Sequence, residues 1–332
     1  MVAVSYHDTV KFLQGAIAPE GESPPGPFDR AEWFDLLAHG GISPLLVEAR
    51  DGDNSAALPL TRKDSGLEPL INWYSFIWRP ALRCEQDCAP LLLAIAKDLR
   101  RHSHRVTLWP LPDEDGTATR LEQAFRGADW LVERSQCGHN HVLPVNGRSF
   151  AEYWATRPGQ MRTTLKRKAK KVEVEIFTRF DPAEWAAYED IYAHSWKPEE
   201  GSPDLLRQFA YDEGAAGRMR LGIARHGGLP VAAQFWTVEN GTAYIHKLAH
   251  LDEHKPLSAG TTLSAALFEH VIDRDHVLLV DFGTGNDPYK SDWMEVDRPR
   301  FRLDCIDTSQ LRAWPVLARR MAGRVARALR QS

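Results

Sequence analysis

The chain has 332 residues, more than one hydrophobic core usually accommodates, so a single small domain is excluded and two domains are expected. With 43% hydrophobic and 26% charged residues it is neither disordered nor fibrous. A formal net charge of −4 excludes a general attraction to nucleic acid, DNA included, and confines any anion binding to local patches.

No apolar run approaches the roughly 18 residues that suggest a membrane span. Met1–Gln14 lacks the basic stretch and apolar core of a secretory signal. Both readings point to the cytoplasm. Cys84, Cys88, Cys137 and Cys305 suit a reducing compartment and are expected to be buried free thiols. Cys84 and Cys88 are close, but no second Cys or His pair stands at zinc spacing, so no metal is expected.

In chain order, residues 1–29 read as an irregular segment rich in Gly, Pro and Glu toward its end. A helix is predicted over Arg30–Ala38. Strands at Ser43–Ala49 and Ser55–Leu60 flank the hairpin signal Asp51-Gly52-Asp53-Asn54. The aromatic run Asn72–Trp78 is expected to supply core or a sheet face rather than a ligand-stacking platform. Leu91, Leu92, Ile95 and Leu99 recur at helical spacing within Ala89–His102. A strand follows at Val106–Trp109, a helix at Ala118–Phe125, and two separate strands at Trp130–Ser135 and His141–Val145.

The second half has a clearer grammar. A short helix at Ser149–Ala155 precedes the cationic run Arg162–Lys171, in which Arg162, Lys166 and Lys170 share one helix face. Such a face can receive the phosphates of a donor or an anionic acceptor, or can simply be solvated. A strand is expected at Val172–Thr178. Asp181 is read as an N-cap, with Pro182 in the first turn and Glu184 closing a capping box. After a second helix from Pro203 come strands at Arg218–Ala224, Pro230–Val238 and Thr242–His250, the last two joined by Asn240-Gly241. The turn Lys255–Gly260 opens a helix at Thr261, and a buried strand at Val277–Val280, a short helix after Asp287 and a strand at Arg300–Ile306 complete the order β, α, α, β, β, β, α, β, α, β.

With this order, the stretches Leu229–Gln234, Leu257–Leu263 and Asp281–Trp293 resemble the Gcn5-related N-acetyltransferase (GNAT) superfamily, in particular its bacterial cellulose-biosynthesis or acetyltransferase-6 branch. Leu58-Pro59-Leu60 and Asn72-Trp73-Tyr74-Ser75 match that branch in the first half, and the chain is also similar to the tandem-lobed Fem proteins. Of the small residues usual in the family's pyrophosphate turn, only Gly260 is present. The resemblance implies an α/β (α+β) fold of two GNAT-like lobes, each a mixed, mainly antiparallel sheet flanked by helices. The first lobe, residues 30–147, would be degenerate, and the second, residues 148–306, would bind the donor. A C-terminal amphipathic basic helix would occupy 307–332, with Leu317, Met321, Val325 and Leu329 on one side and Arg319, Arg320, Arg327 and Arg330 on the other. Such a helix packs on its own domain or lies on an anionic membrane surface.

What the resemblance implies about function is transfer of an acetyl or other acyl group from acyl-coenzyme A to a small-molecule, lipid or peptide amine by direct attack in a ternary complex. Fem-like transfer from aminoacyl-tRNA to a cell-wall precursor, and a catalytically silent scaffold in polysaccharide or lipid assembly, are the alternatives. A Gly-bearing turn at a helix N-terminus gathers backbone N–H groups and the positive end of the helix dipole, which suits pyrophosphate. Ser258, Ala259, Gly260, Thr261 and Thr262 would form that cradle, with Leu248 and His250 ending the preceding strand and Asn286 near the pantetheine arm. Tyr289 is the candidate general acid, or an anchor for its helix. Lys290 would stabilise negative charge or stand in solvent. Asp281 and His246 are the candidate bases, His246 and His250 being expected on one strand face with Tyr244 and Leu248.

Overall fold

A computed structural model describes residues 2–13, 25–85, 87–285 and 287–314. The chain divides into two compact units, Met1–Gly138 with Pro299–Ser332, and His139–Arg298. Residues 315–332 of the predicted C-terminal helix, and Asn286, lie outside the described residues; within 307–314 the chain forms only a 3₁₀ turn, Leu311–Ala313.

In the first unit, β1 (Ala3–His7) pairs with β2 (Leu45–Asp51), so residues 3–7 do not belong to an irregular segment. Val4 and Tyr6 alternate with the exposed Ala3 and Ser5, but five residues with only one half-buried side carry too short a pattern to stand out. α1 (Ala31–His39) buries Trp33, Phe34 and Leu37. β2 turns through Gly52, at φ +61°, into β3 (Asn54–Lys63), followed by β4 (Gly66–Pro69) and β5 (Ala81–Arg83). Tyr74, Phe76, Ile77 and Trp78 are buried, whereas Trp73 is half exposed. α2 (Ala89–Leu99) buries its expected stripe, and β6 (Arg105–Leu111) and α3 (Thr117–Gly127) follow.

Cys84 and Cys88 form a disulfide, correcting the expectation of free thiols; their Cα atoms are 5.6 Å apart, within bridging range. Cys137 is free and exposed, and Cys305 is free and buried. β7 (Leu131–Pro144) is one strand rather than two. Its exposed middle, Gln136-Cys137-Gly138, looks like a turn because it is polar and contains glycine, yet the backbone stays extended.

The second unit contains α4 (Phe150–Ala155), α5 (Gly159–Lys168), β8 (Glu173–Phe177), α6 (Pro182–Ala193), α7 (Pro203–Ala215), β9 (Met219–His226), β10 (Leu229–Glu239), β11 (Thr242–His250), α8 (Ala259–Glu269), β12 (Leu279–Thr284) and α9 (Lys290–Trp293). β13 (Val296–Ile306) begins in this unit and ends in the first, where it pairs with β6. The first unit's strands run β1-β2-β3-β4-β6-β13, and the second's β7-β12-β11-β10-β9-β8. The second sheet is antiparallel except for the parallel β11–β12 pair.

Local chemistry explains the main joints of the second unit. Asp181 accepts from the amides of Ala183 and Glu184 and starts α6, but Glu184 bonds Arg225 instead of closing a capping box. Asn240 and Gly241 both take positive φ, as a two-residue hairpin turn with right-handed strand twist requires. Leu278, expected in a buried strand, precedes β12 and is exposed. α8 covers one face of the sheet through Leu263, Leu267 and Phe268, with Trp236 edge-on to Phe268. On the opposite face, Trp185 of α6 and Phe209 of α7 meet Phe235 edge-on. Among the described residues no helix is long and apolar enough to cross a membrane, and no cluster of three or more His, Cys, Asp or Glu side chains could hold a metal.

Two measurements check this architecture. Thiol titration of the unreduced, denatured chain should find Cys137 and Cys305 only, with Cys84 and Cys88 appearing after reduction. A Cβ at Gly214 would lie 2.5 Å from the backbone nitrogen of Phe180, whereas one at Gly222 would meet only the leucine tips of Leu263 and Leu267, at 2.8 and 2.9 Å. Backbone cannot rotate away as leucine tips can, so Gly214→Ala should cost about 2 kcal/mol or more in urea denaturation, and Gly222→Ala less.

Candidate active site

β11 and β12 are hydrogen-bonded over three residue pairs only, Thr242–Leu279, Ala243–Val280 and Tyr244–Asp281. Beyond that point the ladder stops, although β11 continues to His250 and β12 to Thr284. The register of β11 against β10 shifts at the same level: Ile245 faces Trp236 but Lys247 faces Phe235, leaving His246 as the extra residue of a β-bulge.

The bulge reverses the alternation, correcting the expectation that His246 and His250 share a face. His246 lies with Tyr244 on the side of α6 and α7, its Nε2 2.8 Å from Thr237 Oγ1 and its ring stacked on Phe235 and edge-on to Phe209. Leu248, opposite Gln234, packs with Ile245 and Trp236 on the α8 side, and His250, opposite Ala232, shares that side.

There His250 meets the N-terminus of α8. Ser258 takes the left-handed conformation at φ +55°, and its side chain caps no amide. The first amides of a helix have no intrahelical acceptor, so those of Ala259, Gly260 and Thr261 lack a partner within α8. A Cβ on Gly260 would touch His250 Nδ1 at 3.5 Å. Trp196 lies against the His250 ring at 4.2 Å, and burial lowers the imidazole's pKa. Lys168 donates to Pro256 O at 2.8 Å and Ser258 Oγ at 3.0 Å, bringing an ammonium to the same turn.

Lys168 was not among the cations singled out from the sequence. α5 ends at Lys168 and continues as a 3₁₀ turn over Ala169–Lys171, so Lys170 does not continue the helix face of Arg162 and Lys166. Those three residues are exposed. Met161, Leu165 and Lys168 instead turn inward at i, i+4 and i+7, a spacing that could have revealed the lysine.

At the other side of the gap, Asp281 is buried and accepts from Asn140 Nδ2, at 3.2 and 3.3 Å, and from the Gly283 amide at 2.7 Å. Lys290 is not in solvent. It is 4% exposed, and its ammonium donates to Phe282 O and Thr284 O. Burial brings its pKa down to about 8, against the opposing pull of Asp287 and Asp281. Tyr289 immediately precedes α9, edge-on to Phe282, with its phenol pushed up to about 12 by burial and then by Asp287.

Lys197, also missed from the sequence because it lies in a polar segment after α6, links these regions electrostatically. Burial lowers its pKa, Asp287 opposes that shift, and its charge in turn acts on Lys290, His250 and Lys247. Lys247, one residue past the bulge, is held by Glu200 at 2.9 Å and lies over the Tyr192 ring. The structure thus gathers Leu248, His250 and Ser258–Thr262 on the α8 side and Asp281, Tyr289 and Lys290 at the end of β12, leaving His246 among aromatic rings on the opposite face.

Residues 159–291 match the family model described as Acetyltransferase (GNAT) domain. No curated protein matches the chain in sequence. Among solved structures, FemX aligns with a TM-score of 0.63 at 11% identity, over 92% of this chain and 98% of its own. L-PGS from Bacillus licheniformis aligns with a TM-score of 0.55 at 13% identity, over 91% and 98%. A tandem GNAT protein from the clavulanic acid biosynthesis pathway aligns with a TM-score of 0.52 at 14% identity, again over 91% and 98%. Over residues 159–291 the chain is thus similar to the GNAT domain, and it shares its fold with FemX and with a tandem GNAT protein.

Proposed function

We propose that the chain transfers an acetyl or other acyl group from acyl-coenzyme A to an amine, and that the donor is bound in the His139–Arg298 unit. The observation that carries this reading is the uncapped start of α8, with the Lys168 ammonium at the same turn. A diphosphate needs convergent N–H donors and a neutralising cation, and this turn supplies both. The Gly260 backbone lies beside His250, whose Nδ1 would be in ordinary contact with a Cβ there.

In the transfer, the neutral amine nitrogen attacks the thioester carbonyl, a C–N bond forms, the C–S bond breaks, and one proton passes on balance from nitrogen to sulfur. Among the described residues no activated Cys or Ser is evident, which favours direct attack over an acyl-enzyme. Tyr289, protonated at neutral pH, would donate its hydrogen bond to the departing sulfur. Asp281 is the better placed of the two candidate bases, since it sits where β11 and β12 part. Lys290 would set the local potential rather than meet solvent.

A second reading, aminoacyl transfer from tRNA, gains support from the likeness to FemX along nearly the whole of both chains. The same cradle would then hold a phosphodiester. Thermal-shift titration of the full chain separates the readings: stabilisation by coenzyme A supports the first, by aminoacyl-tRNA the second, and by neither a silent scaffold. Tyr289→Phe should lower turnover at least about tenfold while leaving donor affinity nearly unchanged; unaltered turnover would remove the phenol from the reaction.

Lys290 gives a pH test. Its folded pKa of about 8 lies below the ordinary 10.5, so between these values the unfolded chain holds a proton that the folded one has released. Stability contributed by this site therefore rises with pH across that window, having been at its lowest below pH 8. The unfolding free energy of the parent minus that of Lys290→Met should climb between about pH 8 and about pH 10.5. A flat difference would mean that the lysine is not held as described.

A further inference from the structure

Between Gly159 and Lys171 the charged side chains are Arg162, Lys166, Arg167, Lys168, Lys170 and Lys171, with no carboxylate among them. All but Lys168 are exposed, and none of those exposed forms an ion pair among the described residues. Like charges four apart on a helix repel, as Arg162 and Lys166 do, and an anionic partner would relieve that cost. Lys168 turns inward and donates to Pro256 O and Ser258 Oγ, at 2.8 and 3.0 Å. Direct contact thus joins this cationic surface to the start of α8, where the first amides have no intrahelical acceptor.

The surroundings of the cations select among anions. A membrane surface is bound through an apolar helix face, but Met161 and Leu165 pack against the core, and α5 exposes no large apolar side chain. The unpaired bases of an RNA stack on aromatic rings, and α5 has none. Elsewhere in this unit, a cleft of ≈ 550 Å³ beside α6 exposes Glu199 and Asp204, which would repel a long polyanion. A small ligand uses too little of the surface: α5 is about 15 Å long, and Lys168 with the start of α8 already answers one diphosphate. An acidic protein face of similar length complements the cations without needing rings or apolar insertion.

Resting on the transfer reading above, we propose that Arg162, Lys166, Arg167, Lys170 and Lys171 dock a small acidic carrier protein, which brings the acyl group as a thioester on a phosphopantetheine arm. The phosphate of that arm lies at the start of α8 beside Lys168, in the place that coenzyme A takes when it is the carrier. The chemistry of the transfer is unchanged. The amine nitrogen gains the acyl carbon, the C–S bond to the arm breaks, and one proton passes on balance from nitrogen to the arm's sulfur. Charge on α5 then decides which carriers dock, and the α8 turn decides which arm they must bear.

Surface plasmon resonance on the full chain tests this, with an acyl carrier protein of fatty acid synthesis in its apo form and in its phosphopantetheine-bearing holo form, and with tRNA as a third probe. The holo carrier should bind at least about tenfold more tightly than the apo carrier, and its association should slow as salt is raised. Because Arg167 and Lys171 are exposed, the paired Arg167→Glu and Lys171→Glu variant should fold; its association with the holo carrier should slow at least about tenfold, while the thermal shift given by coenzyme A is kept. Absence of carrier binding, association unchanged in the variant, or tighter binding of tRNA than of the holo carrier would overturn the proposal even with the coenzyme A shift intact. Apo and holo carriers that bind equally to a chain showing no coenzyme A shift would support the docking surface and remove the pantetheine donor instead.

Discussion

The parting of β11 from β12 after Tyr244 and Asp281 is the constraint from which the rest of the candidate site follows. A parallel pair that continued would satisfy the backbone groups along both strands; one that stops must satisfy them otherwise or lose free energy comparable to lost hydrogen bonds. Lys290 meets part of this need, since its ammonium donates to the carbonyls of Phe282 and Thr284, the residues of β12 just past the last ladder pair. A buried cation is costly, and burial brings its pKa down to about 8. Asp281, fixed by Asn140 and the Gly283 amide, offsets some of it. The gap and the buried lysine are therefore two aspects of one arrangement.

The bulge at His246 decides which chemistry lies on each side of the sheet. One extra residue sends Tyr244 and His246 toward α6 and α7, and Leu248 and His250 toward α8. Without it, strict alternation would bring His246 to the side of His250, as the sequence suggests. Histidine in this bulge sits among Phe209, Phe235 and Tyr244 and bonds Thr237, an environment that explains its position by packing. Only His250 meets the helix N-terminus.

Features carried by local chemistry were legible in the sequence. Asp181 capping α6, Asn240-Gly241 at the hairpin and the order of elements around Gly260 each depend on a few adjacent residues with strong conformational preferences. The bulge had no such marker, because His246 needs no glycine-like conformation and the shift is defined only by the partner strand. Lys168 lay hidden among neighbouring cations, although its spacing from Met161 and Leu165 places it on the inward face. Lys197 could not be read from sequence because only tertiary packing half-buries it beside Trp196. The disulfide was missed because a reducing compartment was inferred first, and β7 because polarity in an exposed strand resembles that of a loop.

Net charge conceals how the second unit distributes its ions. At the α8 turn the helix dipole, its first amides and Lys168 all favour an anion. Around the cleft beside α6, Glu189 and Glu200 are matched by Arg207 and Lys247, while Glu199 and Asp204 add negative charge at the rim. Lys197 stands between these regions, and its cost of burial is relieved on one side only, by Asp287. An anion is therefore favoured at the α8 turn and disfavoured at the rim of the cleft, a division that a net charge of −4 for the whole chain does not reveal.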